Sequence, residues 1–371
     1  MTEISRRDLL LTLPGLAMTP RLFAQAKPQI PVKALNHFTL QVSDLKRSQE
    51  FYQGLFGLPI QARQGPTLIL RLGNGPQFMA LGPAGNAAPN NNHFCMTVEK
   101  FNVDRIIGIL AQHGVTKNDA GGPMTVRVRM RGPEAGGAKE GTPELYIGDP
   151  DGLVVQLQDT TYCGGAGVLG DVCLKQPEPA PKKGLLAVKD ISHFTNSVSD
   201  ATRSNQFYQD LFGLQVRSKQ AASLGLGVGP GIGFLMFTGG GGAAAPAPGA
   251  AVGRGAEVAR GQTAPAAGRG LATIASRRAS INHVCMNMET FNVDAILKTL
   301  EGFGVTPRGD SPPAGPTPPM KSYVTLRMPN RGGAPKGTPE LYFTDPDGLL
   351  IQLQHVSYCG GGGYLGNEQC A

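Results

Sequence analysis

The sequence predicts an α+β protein built from four strand-helix-strand-strand-strand modules. Hydrophobic residues alternate between a period of two and a period of 3.6 along the chain, which indicates strands and helices in turn. The segment FYQGLFGL at 51–58 returns as FYQDLFGL at 207–214, and GTPELYIGDPDGLVVQLQ at 141–158 returns as GTPELYFTDPDGLLIQLQ at 337–354. The chain is therefore a tandem duplication, and each copy holds two modules.

The first module opens with NHFTLQV at 36–42, where apolar and polar residues alternate as in a strand. The segment SDLKRSQEFYQGLFG follows, and its apolar spacing predicts a helix with Ser43 or Asp44 as N-cap and Gly57 as terminator. TLILRL and PQFMAL are the next two predicted strands. These elements complete one module.

The second module repeats the order. NHFCMTV at 92–98 predicts a strand, and VDRIIGILAQHG predicts a helix that ends at Gly114. The strands that follow include ELYIG and LVVQLQ. Between these two, Asp149-Pro150-Asp151-Gly152 has Asp first, Pro second and Gly fourth, as a type I turn prefers.

The spacing between the copies locates two insertions in the second copy. The offset is 156 residues at the first histidines of each copy, 190 at the second and 196 at the glutamines near the ends. The first insertion, about 239–275, is too poor in apolar side chains to order itself, and the second is the proline-rich SPPAGPTPP. We expect both to be surface loops. The predicted domains are 33–174 and 188–371, with a linker at 175–187.

Residues 1–26 are predicted to be a twin-arginine signal peptide. Arg6 and Arg7 precede a short apolar segment, and FAQA offers a small-x-small cleavage site after Ala26. Pro14 breaks the apolar stretch, which is too short to span a bilayer as a mature helix. An ordinary secretory signal and a fortuitous arginine pair are the alternatives. We expect a periplasmic or secreted protein with no membrane segment in its mature form.

Charge and cysteine content indicate which partners and which compartment the protein has. The net charge of +7 is spread without basic runs, which argues against a nucleic-acid partner. Six cysteines suit an oxidising compartment. Cys163 and Cys173 bracket a glycine-rich loop that recurs between Cys359 and Cys370, so we expect two disulfides. Reduced thiols on a metal are the alternative.

Four of the six histidines stand second in a strand-like run. Because side chains alternate along a strand, His37 shares one face with Thr39 and Gln41, opposite Phe38 and Leu40. The apolar faces must meet the helices, so the histidine faces look into the concavity of a curled sheet. A polar row there costs free energy unless partners, water or a ligand satisfy it. Each half therefore predicts one polar cavity, lined by His37, His93 and Gln156 in the first half and by His193, His283 and Gln352 in the second.

The paired modules, the FYxxLFGL helix and the ELYxxDPDGxxxQL hairpin resemble the vicinal oxygen chelate superfamily. This superfamily includes glyoxalase I, extradiol ring-cleaving dioxygenases, and fosfomycin- and bleomycin-resistance proteins. The resemblance covers about 33–160 and 188–356. It implies that the two modules of each half pair into one open barrel. It also implies a divalent metal held by the first strand of each module and by the last strand, at the two His-His-Gln sets named above.

The resemblance leaves the metal's identity open among Fe, Mn, Zn, Ni and Co. Two imidazoles and one oxygen with open positions are the layout of a catalytic site rather than a structural one. The family commonly has Glu at the last ligand position, although glyoxalase I shows that Gln can serve. A neutral amide at Gln156 and Gln352 should weaken metal binding and make the ion a stronger Lewis acid.

Two reaction classes and one binding function follow from the resemblance. A ring-cleaving dioxygenase is favoured by Tyr146 and Tyr342, which match that group's catalytic tyrosine, with packing as the alternative role. The histidine that this group has upstream is missing from GGAKEGTPELY and GGAPKGTPELY. A glyoxalase-like lyase or isomerase needs a carboxylate to move the substrate proton. None lies on the predicted inward faces, and we expect Glu144 and Glu340 to point away from the tyrosines. The alternative is a non-catalytic small-molecule binder of the bleomycin-resistance type.

Two further sets of side chains could reach these cavities. Arg127, Arg129 and Arg131 share one face of an alternating strand, and we expect a solvated edge strand, with an anionic substrate at the barrel mouth as the alternative. Cys95 and Cys285 share the face of the neighbouring histidines and are expected to be small buried residues. The expected partner is a small-molecule substrate, and the expected state is a monomer or homodimer.

Overall fold

The computed structural model describes residues 28–239, 279–309 and 316–371. The predicted signal at 1–26, nearly all of the first insertion and the start of the second lie outside the described residues. Within the described ranges, each half forms one nine-stranded sheet and two α-helices. The predicted α+β class with four strand-helix-strand-strand-strand modules is confirmed.

The elements repeat in the same order in both halves. The first half contains β1 (Val32–Val42), α1 (Leu45–Phe56), β2 (Ile60–Gln64), β3 (Thr67–Arg71), β4 (Phe78–Pro83), β5 (Asn90–Val98), α2 (Val103–Gln112), β6 (Thr116–Lys117), β7 (Thr125–Arg131), β8 (Thr142–Gly148) and β9 (Val154–Asp159). The second contains β10 (Val188–Ser197), α3 (Ala201–Phe212), β11 (Gln215–Gln220), β12 (Ser223–Gly227), β13 (Phe234–Thr238), β14 (Ser280–Met288), α4 (Val293–Gly302), β15 (Thr306–Pro307), β16 (Lys321–Arg327), β17 (Thr338–Thr344) and β18 (Leu350–His355).

The sheet topology brings the candidate ligand strands together. The strand order of the first sheet is β2-β3-β4-β1-β5-β9-β8-β7-β6, and the second sheet repeats it. β1 and β5, the first strands of the two modules, pair antiparallel at the centre, with Thr39 opposite His93. β9 runs parallel to β5 and sets Gln156 opposite Cys95. The histidine strands and the glutamine strand are therefore direct neighbours.

The first helix of each half has matching signals at both ends. The Asp44 side chain accepts the Arg47 amide at the start of α1, and Asp200 caps α3 in the same way. Gly57 ends α1 with a left-handed φ of 68°, and a Cβ there would lie 2.5 Å from the Gly184 amide nitrogen. Gly57 therefore serves both the helix end and the close approach of the linker.

The apolar faces of the two halves share one core. A single cluster of buried side chains runs through both copies. The Phe94 and Phe194 rings stack at 4.8 Å between centroids where the two sheets face each other. On α1, the Phe51 ring lies 5.5 Å from Phe303 and 6.3 Å from Phe343, both in the other half. The convex side of each sheet therefore packs inward, and the concave side remains for the site.

Reciprocal polar contacts also join the halves. Asp149, in the turn between β8 and β9, accepts the Tyr208 hydroxyl of α3 at 3.4 Å, and Asp345 accepts the Tyr52 hydroxyl of α1 at 3.0 Å. We call Asp149 and Asp345 the inter-half carboxylates. Both are fully buried, and burial raises the pKa of each to about 6. Each Asp-Pro-Asp-Gly turn is therefore a docking element for the opposite half.

The predicted disulfides are confirmed. Cys163 is bonded to Cys173, and Cys359 is bonded to Cys370. The first bridged loop is anchored to the barrel, because Arg131 donates to the Gly165 carbonyl oxygen at 2.9 Å. The loop is thus tied to β7. No α-helix among the described residues is both long and apolar enough to cross a membrane.

Candidate metal centre

Three polar atoms converge in the concavity of the first sheet. Gln156 Oε1 lies 3.1 Å from His37 Nε2 and 3.0 Å from His93 Nε2. The two imidazole rings meet edge to face with 5.6 Å between centroids. All three side chains are buried. The alternation of side chains along β1, β5 and β9 thus brings the three residues of the first predicted set to one point.

Asparagines fix the tautomer of both imidazoles. Asn36 Oδ1 lies 2.7 Å from His37 Nδ1, and Asn92 Oδ1 lies 2.8 Å from His93 Nδ1. A carbonyl oxygen only accepts, so each Nδ1 carries the proton and each Nε2 keeps its lone pair. Burial lowers the pKa of His93 to about 4 and that of His37 well below its ordinary value. Both rings are therefore neutral at pH 7, the form that binds metals.

A β-bulge makes this arrangement possible. The β1–β5 register shifts between Leu35 and His37 and again beyond Thr39, opposite Asn92. A bulge lets two consecutive residues turn to the same side of a sheet. Asn36 and Asn92 were not identified from the sequence. The recurrence of Asn-His at 36, 92 and 282 was the available signal.

The donor set fits a divalent cation. Gln156 Oε1 faces two Nε2 lone pairs at about hydrogen-bond distance, and these three acceptors repel unless a positive charge lies among them. The Thr39 hydroxyl, 3.2 Å from His93 Nε2, can donate to that nitrogen when no cation is bound. The Gln156 Nε2 atom is buried and has no partner among the described residues. Imidazole nitrogen and amide oxygen suit Mn, Fe, Co, Ni or Zn. The third donor is an amide. Among the described residues, no group of three or more His, Cys, Asp or Glu side chains could hold a metal ion elsewhere.

The second half repeats the set with two differences. The His193 and His283 rings meet edge to face at 5.5 Å, and burial lowers the pKa of His283 to about 4 and that of His193 well below its ordinary value. His283 Nε2 is buried and has no hydrogen-bond partner among the described residues, whereas His93 Nε2 contacts Gln156. Asn282 Oδ1 lies 2.8 Å from His283 Nδ1. His193 Nδ1 instead faces the Ser192 hydroxyl at 3.1 Å, and a hydroxyl can donate or accept. Only one imidazole of the second set therefore has its tautomer fixed.

Aromatic rings hold the imidazoles in place. His37 stacks on Phe78 at 4.2 Å, and His193 stacks on Phe234 at 4.4 Å. The Tyr146 ring meets His93 edge-on at 5.3 Å. Packing of this kind restricts ring rotation, which supports a preorganised site.

The prediction that Glu144 points away from Tyr146 is wrong. The two residues are two positions apart on β8 and share a face, and the Tyr146 hydroxyl donates to Glu144 Oε2 at 3.1 Å. Burial alone would raise the pKa of Glu144, but Arg129 and Arg131 outweigh it and lower that pKa below its ordinary value. The Tyr162 hydroxyl also donates to this carboxylate, at 3.0 Å. A buried ionised carboxylate therefore lies behind the first site.

The equivalent residues of the second half make fewer contacts. Glu340 accepts from Arg327 at 2.9 Å, from Tyr358 at 3.0 Å and from the Thr325 hydroxyl at 3.3 Å. The Tyr342 ring meets His283 edge-on at 5.3 Å and stacks on Tyr323 at 5.0 Å. Tyr342 thus has the same relation to its histidine as Tyr146, with a different environment around it.

The arginine strand is only partly solvated. Arg127 and Arg129 are exposed, as predicted. Arg131 and Arg327 are buried, and Arg131 donates to Glu144 Oε1 at 2.8 Å. The expectation of a solvated edge fails for Arg131, and its counterpart Arg327 is equally buried, because each supplies the counter-charge to a buried glutamate. Cys95 and Cys285 are buried free thiols, as predicted, and burial raises the pKa of both.

The first site opens into a cavity of about 280 Å³. Its lining includes His37, His93, Gln156, Tyr146 and Arg127. A larger open cleft of about 790 Å³ lies between the halves, beside the linker and α4, and its lining contains no histidine. We therefore place the candidate site in the smaller cavity, whose volume is near the lower end of the range for small-molecule sites.

The chain was compared with known proteins. The model of the Glyoxalase/Bleomycin resistance protein/Dioxygenase superfamily matches residues 34–157 and 190–353. Among solved structures, the chain is similar to the Mn(II)-bound glyoxalase from Novosphingobium aromaticivorans, at 13% identity and a TM-score of 0.53, over 87% of this chain and 82% of that one. No curated protein matched the sequence.

Ring-cleaving enzymes also share the architecture. A homoprotocatechuate 2,3-dioxygenase from Brevibacterium fuscum, in complex with 3,4-dihydroxyphenylacetate, matches at 16% identity and a TM-score of 0.54, over 88% of this chain and 82% of that one. A catechol 2,3-dioxygenase matches at 14% identity and a TM-score of 0.51, over 90% and 88%. Identities this low show the fold alone.

Proposed function

This chain belongs to the Glyoxalase/Bleomycin resistance protein/Dioxygenase superfamily, and from that premise we propose that it is a divalent-metal-dependent enzyme acting on a small substrate with vicinal oxygens. Two reaction classes are candidates. One is a glyoxalase-like reaction, by a lyase or an isomerase, and the other is oxidative ring cleavage by a dioxygenase. The structural neighbours include a Mn(II)-bound glyoxalase and extradiol ring-cleaving dioxygenases, which supports both classes.

One observation carries the proposal. The Nε2 atoms of His37 and His93 and the Oε1 atom of Gln156 meet as three facing acceptors, which is an arrangement that a cation stabilises. Three protein donors leave coordination positions open for substrate oxygens. A divalent ion held there would supply Lewis-acid chemistry to those oxygens.

Tyr146 and Glu144 supply the other polar groups of the first site. Burial raises the pKa of Tyr146 well above its ordinary value, so the hydroxyl keeps its proton at pH 7 and can donate to a substrate oxygen. In this structure that proton is donated to Glu144 Oε2 at 3.1 Å, so the hydroxyl must turn from the carboxylate to donate to a substrate oxygen. We therefore assign Tyr146, and Tyr342 in the second half, as catalytic hydrogen-bond donors.

Metal analysis tests the ligand assignment. The variant His37→Ala with His93→Ala should lose the ion of the first half and keep a folded structure by circular dichroism. His113→Gln changes a histidine at the end of α2, away from the cavity lining, and should keep the wild-type metal content. Full metal content in the double variant would refute the assignment.

A second test concerns Tyr146. Tyr146→Phe should lower turnover while the metal content stays unchanged, because the ring remains and only the hydroxyl is lost. Assays with catechols and α-oxoaldehydes, run anaerobically and then with oxygen, would separate ring cleavage from glyoxalase-like chemistry. Unchanged turnover in the variant would leave Tyr146 with a packing role.

A second candidate function is small-molecule binding without turnover. Among the described residues, the cavity lining contains no carboxylate and no imidazole besides the two proposed ligands, which favours this function. The single acidic neighbour, Glu144, is held by Arg129 and Arg131 and is a weak base. Elemental analysis discriminates the two functions, because stoichiometric metal supports an enzyme and metal-free protein that binds a ligand supports a binder.

We also propose that the protein is exported by the twin-arginine route and acts in the periplasm or outside the cell. Two disulfides support an oxidising compartment. Arg6→Lys with Arg7→Lys should leave the protein in the cytoplasm with its signal uncleaved. Processing of this variant at the wild-type rate would contradict the route.

A further inference from the structure

We propose that the cavity of the first half selects substrates that carry a negative charge beside their vicinal oxygens, and that Arg127 is the residue that binds this charge. The inference rests on the proposed function of the same site and deepens it. It also predicts that the two halves differ in substrate preference.

The two copies differ in charge at two positions of one strand pair. Four positions on β7 and β8 correspond to four on β16 and β17, with Arg327 matching Arg131 and Glu340 matching Glu144. The other two positions are Arg127 and Arg129 in the first half, and Tyr323 and Thr325 in the second. These four positions sum to a net charge of +2 in the first half and zero in the second.

Among the three arginines of β7, Arg127 is the one that has no ion pair with a described residue. Arg129 and Arg131 both pair with Glu144. Its side chain is exposed and lines the cavity. The guanidinium carbon lies 5.2 Å from the ring centroid of Tyr146, which is its direct partner across the strand pair. It can therefore meet a ligand at the mouth of the site.

The second half fills the same place with an aromatic ring. Tyr323 occupies the register position of Arg127 and stacks on Tyr342 with an interplanar angle of 17°. Arg308 lies over the outer face of Tyr323, with 3.7 Å from its guanidinium carbon to the ring centroid. This guanidinium is engaged by the ring rather than free. We expect no preference for anions at the second site.

The proposed ligands strengthen the preference of the first site. His37, His93 and Gln156 carry no negative charge, so none of the three offsets the charge of a bound cation. The cavity lining adds two guanidinium groups and no carboxylate. A concave site lined by one sign of charge concentrates the opposite sign. Guanidinium also binds a carboxylate in a bidentate manner, which orients the ligand as well as attracting it.

Matched probes test the proposal. Catechol and 3,4-dihydroxybenzoate carry the same vicinal oxygens and differ by one carboxylate, and their affinities can be measured by calorimetry with the full-length mature protein. We expect the wild type to bind 3,4-dihydroxybenzoate about tenfold more tightly than catechol at low salt. Arg127→Gln should remove this difference and leave catechol affinity unchanged. Arg331→Gln removes the same charge at an exposed position of the second half and should keep the difference.

Metal content measured on every sample separates the two proposals. Metal-free protein that still prefers the carboxylate probe, with the preference lost in Arg127→Gln, would contradict the proposed enzyme and support selection by charge. Metal-loaded protein with equal affinity for both probes would overturn charge selection and leave the metal site standing. A preference that persists in Arg127→Gln, or no measurable binding of the carboxylate probe, would also overturn it.

Discussion

The inter-half carboxylates predict an unusual dependence of stability on pH. Asp149 is fully buried, and burial raises its pKa from an ordinary 3.8 to about 6. The folded protein therefore binds this proton more tightly than the unfolded chain does. Stability from this group is highest below pH 3.8 and is lost as the pH rises through about 6.

The variant Asp149→Asn isolates the effect. One pKa unit corresponds to about 1.4 kcal/mol, so ionisation of Asp149 lowers the free energy of unfolding by about 3 kcal/mol above pH 6. The asparagine cannot ionise, and its Oδ1 can still accept the amides of Asp151 and Leu153, both at 2.9 Å. We expect the variant to match the wild type near pH 4 and to exceed it by about 3 kcal/mol at pH 8.

Urea unfolding from pH 4 to pH 8 measures this difference. Circular dichroism is the suitable probe because the chain contains no tryptophan. Asp119→Asn makes the same chemical change at an exposed turn and serves as the control. A difference between variant and wild type that stays flat with pH, or that favours the wild type at pH 8, would refute the argument from burial.

Three further changes have defined outcomes. Gln156→Glu adds a full negative charge to the ligand set and should tighten metal binding by at least about tenfold in a chelator competition, and unchanged affinity would exclude residue 156 as a ligand. Cys163→Ser with Cys173→Ser should lower the free energy of unfolding by about 3 kcal/mol, because the unfolded chain regains the freedom of a short loop. Arg327→Met leaves Glu340 buried without its counter-charge and should cost about 3–5 kcal/mol by urea unfolding, whereas no loss would mean that Glu340 takes up a proton instead.

Alternation of side chains was enough to predict which strands carry the converging His-His-Gln set. His37, His93 and Gln156 are far apart in sequence, yet period-two reasoning placed each on the polar face, and the structure brings them together. The same rule, applied with an error of one position, misplaced Glu144. Counting positions along a strand predicts which face of the sheet a side chain occupies, provided that the count is correct.

Long-range partners were beyond local patterns. The burial of Arg131 depends on Glu144 from the next strand and on the carbonyl oxygen of Gly165 in the bridged loop, and nothing in the alternating strand indicates either partner. The contact of Tyr52 with Asp345 joins residues 293 positions apart. The second-copy insertions and the signal remain predictions.

The shared core has a consequence for how the two copies can change. Their convex faces pack against each other, so a substitution there changes the packing of both halves. Their concave faces are separate, and a residue such as Tyr323 can replace an arginine without changing the cavity of the other half. Duplication has thus given one scaffold two separate cavities that can vary independently. Separating the two copies would expose the apolar convex face of each.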